Sequence, residues 1–417
     1  MTRFWHPVAD MSAVAAVGEL ILERGEGVHV WDESGRRYLD ATGGLWYCNV
    51  GYGRDEIVDA AMAQMRRLPA YSHYGDVSSR STTDLAERIA GIAPMEDAAV
   101  FFASGGGESV ETAVKLVRRY WSLLGRAEKT IVVSRERAYH GLAGYGTSLV
   151  GIDVFTVGVG PLAGDTLQVP WNDAAALADA IDEAGPQRVA AFFCEPIVGA
   201  GGVLLPPPGY LEDARRVCRD RDVLFVADEV ICGFCRVGDW FASTRFALEP
   251  DLVTFAKGVT SGYLPLGGVI AGARVREPFW SPGAGVWRHG YTYSGHATAT
   301  AAAHANLDIM ERERLAERAV GLEKELAGAL EPLAAHALVA EVRAGLGVVA
   351  AVQLSADALA DDPAVADRVL GAAREHGVLA RGLAGGSIQI SPALTIDGDG
   401  LAELSGGLRA ALDAVAR

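Results

Sequence analysis

Between about residue 99 and residue 271 the chain alternates short charge-free apolar runs with stretches of helical periodicity. The runs at 98–102, 130–133, 189–194, 223–227, 252–256 and 268–271 contain no charged residue. Runs of four to six such residues read as strands buried on both faces. Between the first two, Val110, Ala113, Val114, Val117, Trp121 and Leu124 follow i, i+3, i+4, i+7 spacing, which predicts a helix over 109–124. Residues 173–183 and 210–222 read the same way. Such alternation predicts an α/β domain with a mostly parallel central sheet flanked by helices. After about residue 300 the texture changes. Charged helices over 297–335 lead into 339–354, another helix, a short strand at 388–390 and a final helix. We therefore expect a large α/β domain over 51–299 and a smaller α+β domain from 1–50 together with 300–417.

Composition narrows the classes of function. The 417 residues carry a formal net charge of −16, which argues against nucleic acid or an anionic membrane surface as a partner. No stretch supplies about 20 continuous apolar residues, so no membrane span is expected. Asp10, Glu19 and Glu23 interrupt any signal-peptide core. Five cysteines, an odd number in a long chain, do not form a disulfide framework, and a cytoplasmic protein is expected. Only four of the 37 basic residues are lysines: Lys115, Lys129, Lys257 and Lys324.

In an open α/β sheet the chemistry lies just past the C-terminal ends of the strands. After 98–102 come Gly105, Gly106 and Gly107 at the start of a helix, where free N–H groups suit a phosphate or carboxylate. After 130–133 come Tyr139, His140 and Gly141, which offer a platform for a flat ligand. Glu195 follows 189–194. Asp228 follows 223–227, where an ionised carboxylate needs a cationic partner or a cap. Lys257 ends 252–256 in an uncharged frame, so desolvation would depress its pKa and make it a nucleophile suited to a Schiff base. The other lysines lie on charged helices or, for Lys129 beside Glu128, in a polar turn. A phosphate cradle, an aromatic platform, a carboxylate and a buried lysine are the parts that pyridoxal 5'-phosphate requires. The Gly107–Ser109 segment is a near miss for a hydrolase nucleophile elbow, because Glu111 stands where its last Gly belongs. A serine hydrolase using Ser109 is the alternative from another class. Cys232 and Cys235 imitate a redox or zinc motif, but zinc needs two further ligands, and the neighbouring sequence offers none. No metal is expected.

On these residues the chain resembles the class III (omega) aminotransferases, of the fold-type I pyridoxal-phosphate superfamily, along essentially its whole length. Asp228-Glu229-Val230 and Lys257 stand in that family's order, as do the glycine-rich loop, Tyr139-His140-Gly141, Glu195-Pro196 and the segment Tyr291-Thr292-Tyr293-Ser294-Gly295-His296. Leu45-Trp46 is similar to the amine–pyruvate branch, where the Trp lines the substrate pocket. Arg381, ahead of Ser391-Pro392, is similar to the Arg that engages a substrate carboxylate. Three positions depart from the pattern. Gly107 stands where the family has Ser or Thr, Cys235 where it has Gly, and Ala297 where it has Pro.

The resemblance implies a ping-pong transaminase moving an amino group between an amine or ω-amino compound and a pyruvate-like keto acid or a ketone or aldehyde. Lys257 would hold the cofactor and then act as the base. Asp228 would keep the ring nitrogen protonated, Tyr139 and Val230 would sandwich the ring, and Glu195 would orient Asp228 or its neighbours. Thr292 would reach the cofactor phosphate of the other subunit, which implies a homodimer with shared sites. A mutase or racemase on the same scaffold is the alternative within the cofactor class.

Overall fold

Strands apolar on both faces are stable only inside a covered sheet, and in the computed structural model, which describes residues 2–417, the charge-free runs lie side by side. Seven strands form this sheet: β1 (Ala99–Ala103), β2 (Ile131–Arg135), β3 (Thr166–Val169), β4 (Val189–Cys194), β5 (Leu224–Asp228), β6 (Leu252–Phe255) and β7 (Gly267–Ala271). Their order is β1-β7-β6-β5-β4-β2-β3. Every pairing is parallel except those of β7, which runs antiparallel to both β1 and β6. Successive residues alternate between two apolar layers. Phe192 and Phe225 join one core, while Phe193 and Val226 join the other beneath helix α1 (Gly106–Leu123).

The sequence missed β3. Thr166, Leu167 and Gln168 are only partly covered or exposed at the sheet edge, so no apolar run marks it. Helix α1 also begins three residues before the predicted start at 109, because Gly106 and Gly107 present no side chain to the core. The charged stretch 297–335 is two helices, Ala297–Arg312 and Leu315–Leu330, broken where Arg314 adopts a left-handed φ of 51°. Helix Ala297–Arg312 runs through residue 299 and packs on helix Asp55–Arg67.

A second, antiparallel sheet of order β8-β9-β11-β10 is built from β8 (Val339–Arg343), β9 (Ala350–Leu354), β10 (Arg381–Leu383) and β11 (Ser387–Ile390). Three N-terminal strands, Leu22–Glu26, His29–Asp32 and Arg37–Asp40, are completed by Val378–Leu379, which pairs in parallel with the last of them. The fully buried Arg236 stitches the segment after β5 to the C-terminal part. Its guanidinium donates to Val348 O at 3.3 Å, to Pro392 O at 2.6 Å and to Asn49 Oδ1. Among the described residues, no helix is long and apolar enough to cross a membrane. The architecture is the expected one, a helix-flanked, mostly parallel sheet with a smaller α+β portion.

Candidate active site

The C-terminal ends of β1, β2, β4, β5 and β6 open onto one cavity of about 180 Å³. Nine of the residues singled out from sequence line it: Leu45, Gly106, Gly107, Tyr139, His140, Glu195, Asp228, Val230 and Lys257. Val110, Gly141 and Ile231 complete the wall. Sequence did not single out Val110 or Ile231 for a site, because apolar residues on a helix and in a turn carry no signal beyond packing.

Asp228 closes β5, and its Oδ2 lies 2.6 Å from His140 Nδ1 while its Oδ1 accepts from Val230 N at 3.1 Å. Burial alone would raise its pKa, yet the His140 hydrogen bond and charge, with Val230 and Thr254, hold the carboxyl below its ordinary value. Asp228 is thus a persistent anion. His140 Nε2 is buried without a partner. Glu195 does not bond Asp228. It accepts from Tyr139 N at 3.0 Å and Gly199 N at 2.9 Å, so it fixes the platform loop to the glycine turn beyond β4. Burial raises its pKa.

Lys257 follows β6 in a left-handed conformation, φ 43°, that is costly for a residue with a side chain. Burial draws its amine down to about 8, although Asp228 and Glu195 push it upward. Trp46, also at positive φ (61°), presents its ring 5.9 Å from Lys257 Nζ and 5.6 Å from the Arg381 guanidinium. Arg381 has no ion-pair partner among the described residues, and burial lowers its pKa. Trp46 and Arg381 therefore flank the lysine without belonging to the cavity wall.

The glycines differ in what they do. A Cβ on Gly106 would meet Val230 Cγ1 at 2.9 Å, so the close approach of the two loops needs glycine there. A Cβ on Gly107 would meet nothing within 4 Å. Gly105 caps α1 in an extended conformation and stands outside the wall. Thr292 is exposed, on a loop anchored by Tyr291 Oη donating to Glu108 O at 3.1 Å, and it does not line the cavity of its own chain.

Two expectations change. Ser109 is fully buried and gives its proton to backbone carbonyls (Gly105 O, 2.9 Å; Phe255 O, 3.1 Å), so it is no hydrolase nucleophile. Lys129 is no polar-turn residue. It is fully buried, with Nζ donating to Pro186 O and Asp222 O at 2.8 Å each. Cys232 and Cys235 are buried, their thiols raised by burial, and no group of three or more metal-ligating side chains occurs among the described residues.

The site fits pyridoxal 5'-phosphate. The open space at Gly107 before the first free N–H groups of α1 accommodates a phosphate. Tyr139 and Val230 border the slot for the ring, the anionic Asp228 suits a protonated ring nitrogen, and Lys257 supplies a neutral amine near pH 8.

Residues 11–412 match the family model described as aminotransferase class-III. Among curated proteins, the chain is 38% identical to the putrescine–pyruvate aminotransferase of Pseudomonas aeruginosa, over 98% of this chain and 94% of that one. A transaminase from the marine bacterium Virgibacillus superposes with a TM-score of 0.95 at 38% identity, covering 99% of this chain and 97% of that one. An amine transaminase from an uncultivated Pseudomonas species, solved in its PLP-bound form, gives a TM-score of 0.94 at 35% identity and 99% coverage of both chains.

Proposed function

The chain belongs to the class III aminotransferases and is a pyridoxal-phosphate-dependent transaminase, and from that premise we propose that Lys257 and Asp228 carry its chemistry. The observation behind this is the single cavity in which an amine drawn down to about 8 lies with a carboxylate held anionic by His140. Pyridoxal phosphate supplies an aldehyde that accepts the amino group and a ring that delocalises the electrons released at the donor carbon. Lys257 Nζ would hold that aldehyde and, freed by the donor amine, would carry the proton from the donor's α-carbon to the carbon that bore the aldehyde. Asp228 would keep a proton on the ring nitrogen. Glu195 and His140 hold Tyr139 and Asp228 in place, and Val230 and Tyr139 would sandwich the ring. The N–H groups of Gly106 and Gly107 would take the phosphate.

We further propose an amine or ω-amino compound as donor and pyruvate or a similar keto acid as acceptor. Trp46 and Leu45 shape the donor side, and Arg381, which has no protein carboxylate, takes the acceptor's carboxylate through its planar fork. The test is a half-reaction screen of amines against the holoenzyme, followed by pyruvate and assay of the alanine formed. Loss of turnover in Lys257→Ala is expected, and retained turnover would refute the assignment.

A homodimer is proposed as the working form. Two features support it: Thr292 is exposed and does not line its own cavity, and Val58, Met62 and Met65 form an exposed apolar stripe on helix Asp55–Arg67. Sedimentation should give twice the 43.8 kDa chain mass, and Thr292→Ala should weaken cofactor binding. A monomer that turns over normally would exclude shared sites. Two domains are proposed, 51–299 and 1–50 with 300–417, with helix Ala297–Arg312 as connector. Limited proteolysis that cuts first within the β1–β7 sheet would contradict this division. A reducing cytoplasm suits five free buried thiols, and cell fractionation tests it.

A further inference from the structure

Two arginines grip the turn at Gly201–Gly202. Arg137 donates from Nε (3.1 Å) and Nη2 (2.8 Å) to Gly201 O. Arg343, on β8, donates from Nε to Gly202 O at 2.9 Å and from Nη2 to Ser387 Oγ at 2.7 Å and Gln353 Oε1 at 3.1 Å. The place where Gly202 would carry a Cβ lies 3.2 Å from Arg137 Nη2, 3.3 Å from Ser387 Oγ and 3.4 Å from Arg343 Nη2. The corresponding place on Gly385 lies 3.5 Å from Arg137 Nη2. Nη2 of both arginines thus lies within 3.4 Å of one point beside Gly202, so the two guanidinium groups stand close together where glycines carry no side chains.

Like charges this close repel, the more so where water is thinned by burial. One carboxylate answers them. Glu341 contacts Arg343 Nη1 and is itself 57% exposed. Arg137 has no ion pair among the described residues. Its two Nη1 protons and one on Nη2 have no protein acceptor, yet none of its nitrogens is sealed from solvent without a partner. Burial and the neighbouring Arg343 both lower its pKa. Left so, the pair costs energy that a mobile anion would recover. A guanidinium fork matches two oxygens of one oxyanion.

We propose that the Arg137–Arg343 pair binds a small oxyanion, a carboxylate or a phosphate, which clasps the loop carrying Tyr139 to the sheet carrying Arg381. The topology makes that link direct. Arg137 stands two residues before Tyr139, and across the second sheet Arg343 shares a register row with Ala351, Gln389 and Arg381.

The test uses holoenzyme, whose phosphate cradle is already filled by the cofactor. Thermal unfolding is followed at fixed ionic strength as chloride is replaced by inorganic phosphate in one series and by acetate in another. A saturable rise in Tm over chloride is expected in at least one series, and the series in which it saturates at lower concentration identifies the oxyanion. Arg137→Gln should weaken the apparent dissociation constant at least about tenfold, the effect of losing a charged hydrogen bond. Gly385→Asp offers a second route. At φ 74° an Asp is tolerated better than most residues, and its carboxylate would stand beside Arg137 and take the place of the oxyanion. Tm in chloride should rise and the oxyanion increment should vanish. A rise that never saturates and is equal in both variants is exclusion of the salt from the surface and overturns the proposal, as does no rise at all. Should Arg137→Gln fail to fold, Gly385→Asp alone decides.

Discussion

Two lysine amines are drawn down to about 8 by burial, Lys129 and Lys257. Lys129 spends its protons on two carbonyls and lies 4.3 Å over the Trp121 ring, whereas Lys257 opens onto the cavity. In cofactor-free protein, acylation of Lys257 by a small reagent should be half-maximal near pH 8, because only the neutral amine reacts. Lys129 should stay unlabelled until the protein unfolds, and peptide mass spectrometry separates the two. Only Lys257 was legible as a functional residue, since its uncharged frame gives it away. Lys129 was not, because Arg126 and Glu128 make its turn look solvated while the chain folds its stem under the sheet. The same contrast holds for the glycines. The Cβ of Gly107→Ser meets no atom within 4 Å and the substitution adds a hydroxyl at the cradle, so cofactor should bind roughly threefold to tenfold more tightly in equilibrium dialysis, the worth of one hydrogen bond. An unchanged affinity would mean that backbone N–H groups already saturate the phosphate.

At the scale of elements, buried charges decide how neighbouring pieces are held. Arg236 satisfies Val348 O, Pro392 O and Asn49 Oδ1 at once. Arg236→Met leaves three buried acceptors without donors and should cost roughly 3 kcal/mol or more, seen as a lower urea midpoint. Glu229 accepts from Ala242 N and Ser243 N at the start of the short helix Ala242–Arg245, with no cation beside it, and burial pushes its carboxyl up to about 7. The folded protein therefore holds this proton more tightly than the unfolded chain does. Stability falls as pH rises between about 4.5 and about 7, by roughly 3 kcal/mol at most. Glu229→Gln removes that dependence, so its Tm relative to wild type should climb from pH 5 to pH 8. A constant difference would show that Glu229 ionises normally. Neither role could be read from the sequence, because a charged residue next to a motif looks the same whether it faces water or a carbonyl. β3 escaped for a related reason, its edge position leaving Gln168 in solvent.

For the whole molecule, the alternation of runs and helices foretold the layered α/β architecture, and the strand ends foretold where the cavity lies. Strand direction was also written in the chain, though less visibly. A parallel return needs a crossover of roughly a dozen residues or more. The segment between β6 and β7, residues 256–266, contains only a single helical turn, Lys257–Val259, so β7 must come back antiparallel. The run at 268–271 has the same composition as its neighbours and did not disclose this. What no local pattern carried is that β7 slots between β6 and β1, its partners lying far apart in sequence. That insertion has a consequence for synthesis. β1 pairs only with β7, so until residue 271 has left the ribosome the strand that leads into the phosphate cradle has no sheet to join. Nascent chains arrested before residue 267 should stay protease-sensitive at 99–107 and acquire protection abruptly once β7 emerges. The cofactor cradle, encoded in the first third of the gene, is among the last parts of the large sheet to be built.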